Sequence, residues 1–252
     1  MTTRTIDVHA LLRKYEDVAG RAQQLAFPVR DIGLQKKHLE DTLAIHDELR
    51  AAKLGAIAAR RSDLADRLLG FQAVARALAE ELRMWVAMRE GDPHGAWCAL
   101  VVAQQHAHLA LRTPMAHAGI EEYARRLDMV EQTAFPRLAF ASTGFEHDTG
   151  RCSICNKRFD KCEHEEGLIY SGQVCAEVDF KNSKLDHISI VDSPRDKRCY
   201  VRSFEEGDGT LIDTMTRLPM RSAIPGGGER PAQGRSMQFT VFVNETPPGV
   251  MP

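Results

Sequence analysis

Four residues of this chain combine types and spacing that can bind a metal: Cys152, Cys155, Cys162 and His164, in the run Cys-Ser-Ile-Cys-Asn-Lys-Arg-Phe-Asp-Lys-Cys-Glu-His. A Cys-x-x-Cys turn aims two sulfurs at one point, and the Cys-x-His pair that follows closes a tetrahedron from the other side. Three thiolates and one imidazole are the donor set of closed structural zinc sites. Asn156 follows the first pair where such turns often carry Gly, and Asn is the non-glycine residue most tolerant of positive φ. Structural Zn2+ is therefore the expected cofactor. Glu163, Glu165 and Glu166 surround His164 and offer a base on paper. A catalytic zinc, however, keeps one position for water, and three thiolates make the ion a poor Lewis acid. Cys175 and Cys199 are alternate ligands should His164 not be one, ranked lower because they fall in segments patterned as strands.

Composition narrows the setting. The chain has 252 residues, 43% apolar and 27% charged, with a formal charge of −2. That is room for two modest domains and no global pull toward nucleic acid or a membrane. No apolar h-region follows Met1, and no run of about 18 apolar residues could span a bilayer. Six cysteines without an export signal, most of them in or near the metal motif, fit a reducing cytoplasm better than a disulfide framework.

The elements that must position the motif change character near residue 135. Up to there the apolar residues recur at helical spacing. Val8, Leu11, Tyr15 and Val18 predict a helix that stops before Phe27-Pro28. A charged second helix spans roughly 31–58. A third runs through Leu64, Leu68, Phe71, Leu78, Leu82 and Trp85, with Ser62 and Asp63 favouring its start. Asp92-Pro93 caps a fourth, to about Arg112, and a fifth covers roughly 116–131. Short connections imply antiparallel neighbours, hence a helical bundle over 1–134. The charged second helix reads as a solvated bundle helix, with an extended hairpin or an oligomer contact as the alternative.

Beyond Phe135-Pro136 short strands are expected around the metal loop. Val174, Ala176, Val178 and Phe180 alternate with polar residues, Ile188 and Ile190 lie in another run, and Cys199 to Phe204 forms a further strand. The whole reads as α+β, with a zinc-binding β module over 135–204. Residues 205–252 read as a partly flexible tail, rich in Gly and Pro at 225–234, with one possible strand at Met237 to Val243. Three further patterns read as structural. Arg89 and His94 are separated by a helix-breaking proline. His106 and His108, two apart on a helix, face different ways and make no joint site with His117. Cys98, beside Trp97, reads as a core thiol.

Residues 138–200 resemble the C-terminal part of tailed-phage prohead (head-maturation) proteases. The resemblance is carried by Ser142-Thr-Gly-Phe145, the Cys-rich loop with Gly167-x-x-Tyr170-x-Gly172, and His187-Ile-Ser-Ile-Val191-Asp-Ser-Pro194. It implies a small β-barrel serine protease with Ser142 as nucleophile and a histidine as its base. Position 187 is His where the family usually has Glu, Arg195 replaces the Ala after the proline, and the family's catalytic histidine comes from upstream strands where this chain has helices. His117 and His108 are the upstream histidines reasonably close, both in segments patterned as helices, and His147 and His187 could reach Ser142 in space.

Three functions follow, in order. The first is a non-catalytic zinc-binding protein acting through interaction surfaces, with a protein partner or a second copy on the helical bundle. The resemblance places it as a bacterial or prophage-encoded component of a phage-related or defence assembly. The second is a prohead-protease-like serine peptidase using Ser142 and His187. The third, not favoured, is a zinc module binding nucleic acid through Arg151, Lys157, Arg158 and Lys161, with Phe159 to stack on a base.

Overall fold

Asp7, Asp31 and Asp92 each start a helix in the computed structural model, which describes residues 7–115, 118–220 and 237–239. Asp7 accepts from the N–H groups of His9 and Ala10 at the head of α1 (Val8–Gln24). Asp31 accepts from Leu34 N at the head of α2 (Ile32–Ala58). Each carboxylate satisfies amides that have no partner within the helix and sits at the positive end of its dipole. α3 (Ser62–Glu90) starts differently, because Arg61 at its N-cap offers no acceptor. Ser62, expected to favour that start, turns its hydroxyl to Ser171, 2.8 Å away. Gly91 ends α3 in the left-handed region, at a φ of 77°. Asp92 then caps α4 (Pro93–Leu111), with Pro93 in its first turn. α5 spans Ala118–Ala134.

The chain divides into two compact units. The first contains the described residues of Met1–Glu131 together with His147–Ser183. In it α3 packs against α2 and α4, and α1 packs against α2 and α3. Leu68, Leu78 and Leu82 of α3 are buried, as are Ile45 and Leu49 of α2 and Trp97 and Leu100 of α4. Flanked on two sides, α3 buries far more than one stripe. α2 buries one face and keeps most of its charged residues exposed, Lys53 being buried. Cys98, next to Trp97, is half-buried rather than fully in the core. Deep in the same unit, Glu81 is fully buried and takes a two-pronged ion pair from Arg126, at 2.6 and 2.7 Å.

His147–Ser183 carries β2 (Arg151–Cys152), a 3₁₀ turn at Phe159–Lys161, β3 (Ile169–Tyr170), β4 (Gln173–Val174) and β5 (Glu177–Val178). β2 pairs with β5 and β3 with β4, both antiparallel. The continuous strand expected through 174–180 is broken into β4 and β5. Cys175 exchanges backbone bonds with Leu168 and Gly167, whereas Ala176 bonds with Ser153, so the chain changes partner between them. Asp179, at a φ of 57°, ends the run.

The second unit contains the described residues of Gln132–Glu146 and Lys184–Glu245. β1 (Phe140–Glu146) and β6 (Lys184–Val191) form an antiparallel ribbon. Ala141 N donates to Cys199 O, and Val201 N to Ala139 O, which stitches the start of β1 to β7 (Val201–Glu205). β7 also pairs with β8 (Leu211–Asp213) on one side and β9 (Met237–Phe239) on the other. The metal loop thus falls in the helical unit, whereas the sequence grouped it with the strands on either side. The linker at 225–234, residues 240–243 of the expected last strand, and His117 lie outside the described residues.

Candidate metal centre

The Cys152–Asn156 turn is built by its own backbone. Asn156 N donates to Cys152 O at 2.9 Å, and Asn156 takes the left-handed conformation its position predicts, with a φ of 59°. Ile154 N points at Cys152 Sγ, 3.4 Å away. Cys152 N bonds Lys157 O at 2.8 Å and Phe159 N bonds Gly150 O at 2.9 Å, which fixes the hairpin stem. The 3₁₀ turn then carries Cys162 back, with its Sγ 3.6 Å from His164 O.

One donor atom from each of Cys152, Cys155, Cys162 and His164 lies within 4.8 Å of every other, so these four residues could hold a metal ion. Cys152 Sγ is 3.8 Å from His164 Nδ1, and the His164 ring meets Tyr170 edge-on at 4.5 Å between centroids. Tyr170 is held in turn by Glu165 N, which donates to its hydroxyl. Burial disfavours a thiolate at Cys152, but the N–H groups of Cys155 and Ile154 and the adjacent thiols outweigh it and lower its pKa. Cys175, an alternate ligand by sequence, lies outside this group but beside it. It is buried, its Sγ lies 3.8 Å from Cys152 Sγ, and burial, followed by the hydrogen bond with Cys152 and its charge, pushes its thiol up to about 12. Cys199 belongs to the other unit, where its carbonyl serves β1.

The loop is seated on the helices by backbone contacts. Ser171 and Gly172, both at positive φ, form the tight β3–β4 turn. Gly172 N donates to Asp66 of α3, and Arg112, just past α4, donates to Gly167 O. The loop's own cations are partly engaged locally. Asp160 holds Arg158 at 2.8 and 3.0 Å, and Arg151 donates to Asn156 O.

Ser142 and His187 lie on the β1–β6 ribbon. Ser142 pairs with Ser189 and Gly144 with His187, so all four face the same side of the pleat. Gly144 leaves the space the His187 ring occupies. The register skips one residue between Gly144 and Phe145, which makes Asp186 a bulge residue. The bulge brings Asp186 Oδ2 to 2.7 Å from His187 Nδ1. No hydrogen bond joins Ser142 Oγ to the His187 ring. His147 packs on Phe180 in the other unit, 4.7 Å between ring centroids. Arg89 donates to Val29 O, and His106 and His108 take part in no metal-ligating group among the described residues.

No helix among the described residues is long and apolar enough to cross a membrane. Compared with protein families, with curated proteins and with solved structures, the chain matches none.

Proposed function

We propose that this is a non-catalytic, cytoplasmic zinc-binding protein. A structural Zn2+ on Cys152, Cys155, Cys162 and His164 holds the 147–183 loop, and the helices form a bundle that presents a surface to a protein partner or a second copy. The observation that carries the reading is the mutual approach of four donors to within 4.8 Å. A tetrahedral ion with bonds of about 2.0–2.3 Å draws its donors to within about 3.8 Å of each other, a change that side-chain rotation can supply. Zinc closure contributes folding free energy to loops with little core of their own, and β2 to β5 are two residues each. The resemblance of 138–200 to prohead proteases supports a phage-related or defence assembly as the setting. The test is elemental analysis of reduced protein, followed by limited proteolysis with and without chelator. One zinc per chain, and cleavage within 147–183 only after chelation, is the expected result. Substoichiometric metal, or a loop indifferent to chelation, defeats the reading.

A second reading is favoured by one observation, the Asp186–His187 hydrogen bond on the face that Ser142 shares. A carboxylate on Nδ1 leaves Nε2 as the base, the arrangement a serine peptidase needs. In that reading Ser142 attacks the peptide carbonyl and His187 takes its proton. Labelling by a fluorophosphonate probe that disappears in Ser142→Ala supports it, and an unlabelled Ser142 removes it.

A further inference from the structure

Cys175 is anchored as firmly as the motif cysteines. Cys175 N donates to Leu168 O at 2.8 Å, and its carbonyl accepts from Gly167 N at 2.7 Å. Ser153 clamps both neighbours, donating to Val174 O and accepting from Ala176 N. Its Sγ is thereby fixed 3.8 Å from Cys152 Sγ. That separation is far beyond a disulfide bond of about 2.05 Å. It equals the edge of a tetrahedron whose metal–sulfur bonds are about 2.3 Å, which is about 3.8 Å.

Cys175 Sγ therefore borders the four-donor group, against Cys152. Cys175 is 1% exposed. His164 is half-buried and lines an open cavity of about 490 Å³ with Arg60, Arg61, Ser62, Tyr170 and Ser171. An imidazole released from the ion can be solvated there while keeping its contact with Tyr170. A buried thiol beside a thiolate-bound ion has no other polar partner, and soft thiolates suit zinc.

We propose that Cys175 is a metal ligand, that the resting site is Cys152, Cys155, Cys162 and Cys175, and that His164 is the displaceable fifth donor. This rests on the metal reading above and changes its ligand set. Cobalt(II), added to the reduced, metal-free full chain, reads the set directly through its sulfur-to-cobalt absorption. Cys175→Ser should lower that intensity per cobalt by about a quarter, one thiolate of four. His164→Ala should leave the spectrum of the wild-type protein unchanged. Zinc X-ray absorption on the unmutated protein needs no variant to fold, and should give four sulfurs and no nitrogen. Three sulfurs with one nitrogen, or a cobalt spectrum altered by His164→Ala, overturns the assignment. Failure of the wild-type chain to take up cobalt or zinc at all overturns the metal reading itself.

Discussion

Gly172 lies against Ala65: a Cβ placed on Gly172 would stand 2.9 Å from the Cβ of Ala65, closer than two such atoms come. The same residue has a φ of 75° and donates its N–H to Asp66. A turn of the metal loop is thus pressed onto the first turn of α3 with no room for a side chain. Gly172→Ala should destabilise the loop's seat by about 1–3 kcal/mol, through left-handed strain and the forced separation from α3. Hydrogen exchange is the measurement. Faster exchange over 165–178 with unchanged protection in α2 is expected, and an unaltered loop would mean it does not bear on α3.

Cys152 Sγ lies beside both rival fourth donors, 3.8 Å from His164 Nδ1 and 3.8 Å from Cys175 Sγ. Cys152→Ser should therefore abolish metal uptake whichever donor completes the set, dropping zinc per chain from one to near zero. Asn156→Val should act more mildly, because a β-branched residue resists the φ of 59° that shapes the Cys-x-x-Cys turn. Metal stoichiometry and chelator competition separate the two effects: loss for the first, weakened affinity with full stoichiometry for the second.

What could be read from the amino acids was local. Asp92-Pro93 and Phe27-Pro28 mark helix ends with side chains that act within a turn, and the helices start and stop within a few residues of those marks. The metal motif was legible for the same reason, since its four donors share one short loop. The loop's attachment was not legible, because Arg112 reaching Gly167 O and Asp66 reaching Gly172 N are separated by 55 and 106 residues. Alternation from Val174 to Phe180 suggested one strand, but a change of backbone partner at Cys175 and Ala176 leaves no trace in apolar periodicity. The bulge at Asp186 is likewise invisible in sequence, and with it the contact to His187.

Arg126 supplies the countercharge for a carboxylate with no access to water. Burial raises the pKa of Glu81, and the Arg126 hydrogen bonds and charge oppose that rise. Arg126→Ala leaves Glu81 buried without a cation and should cost about 3–5 kcal/mol. The double replacement Glu81→Gln with Arg126→Met should cost much less, since neither member is then left as an uncompensated charge. Urea unfolding of the three proteins decides the point. Equal losses in the single and double variants would show that packing, not the charge pair, sets the stability.

Acid should weaken the helical unit through His106. Burial, with the charges of Arg76 and His46 adding to it, pushes its pKa down to about 3 from the ordinary 6.5. An unfolded chain takes up that proton near pH 6.5, while the folded chain refuses it until about pH 3. Between those limits the unfolded state binds more protons, so stability falls as pH falls, by up to about 1.4 kcal/mol per pH unit for one such group. His46, also lowered by burial, adds to the same limb. Lys53 works at the other end, because burial and then Arg50 bring its pKa down to about 8 from 10.5. The same sign applies, so stability lost to Lys53 at neutral pH returns as pH rises from 8 toward 10.5. His106→Leu should flatten the acid limb between pH 6.5 and 3 and leave the alkaline limb alone, and Lys53→Met should do the reverse. Urea midpoints across pH 4 to 10 test both, and an acid limb that keeps its full slope in His106→Leu would mean that the histidine is not held neutral by the fold.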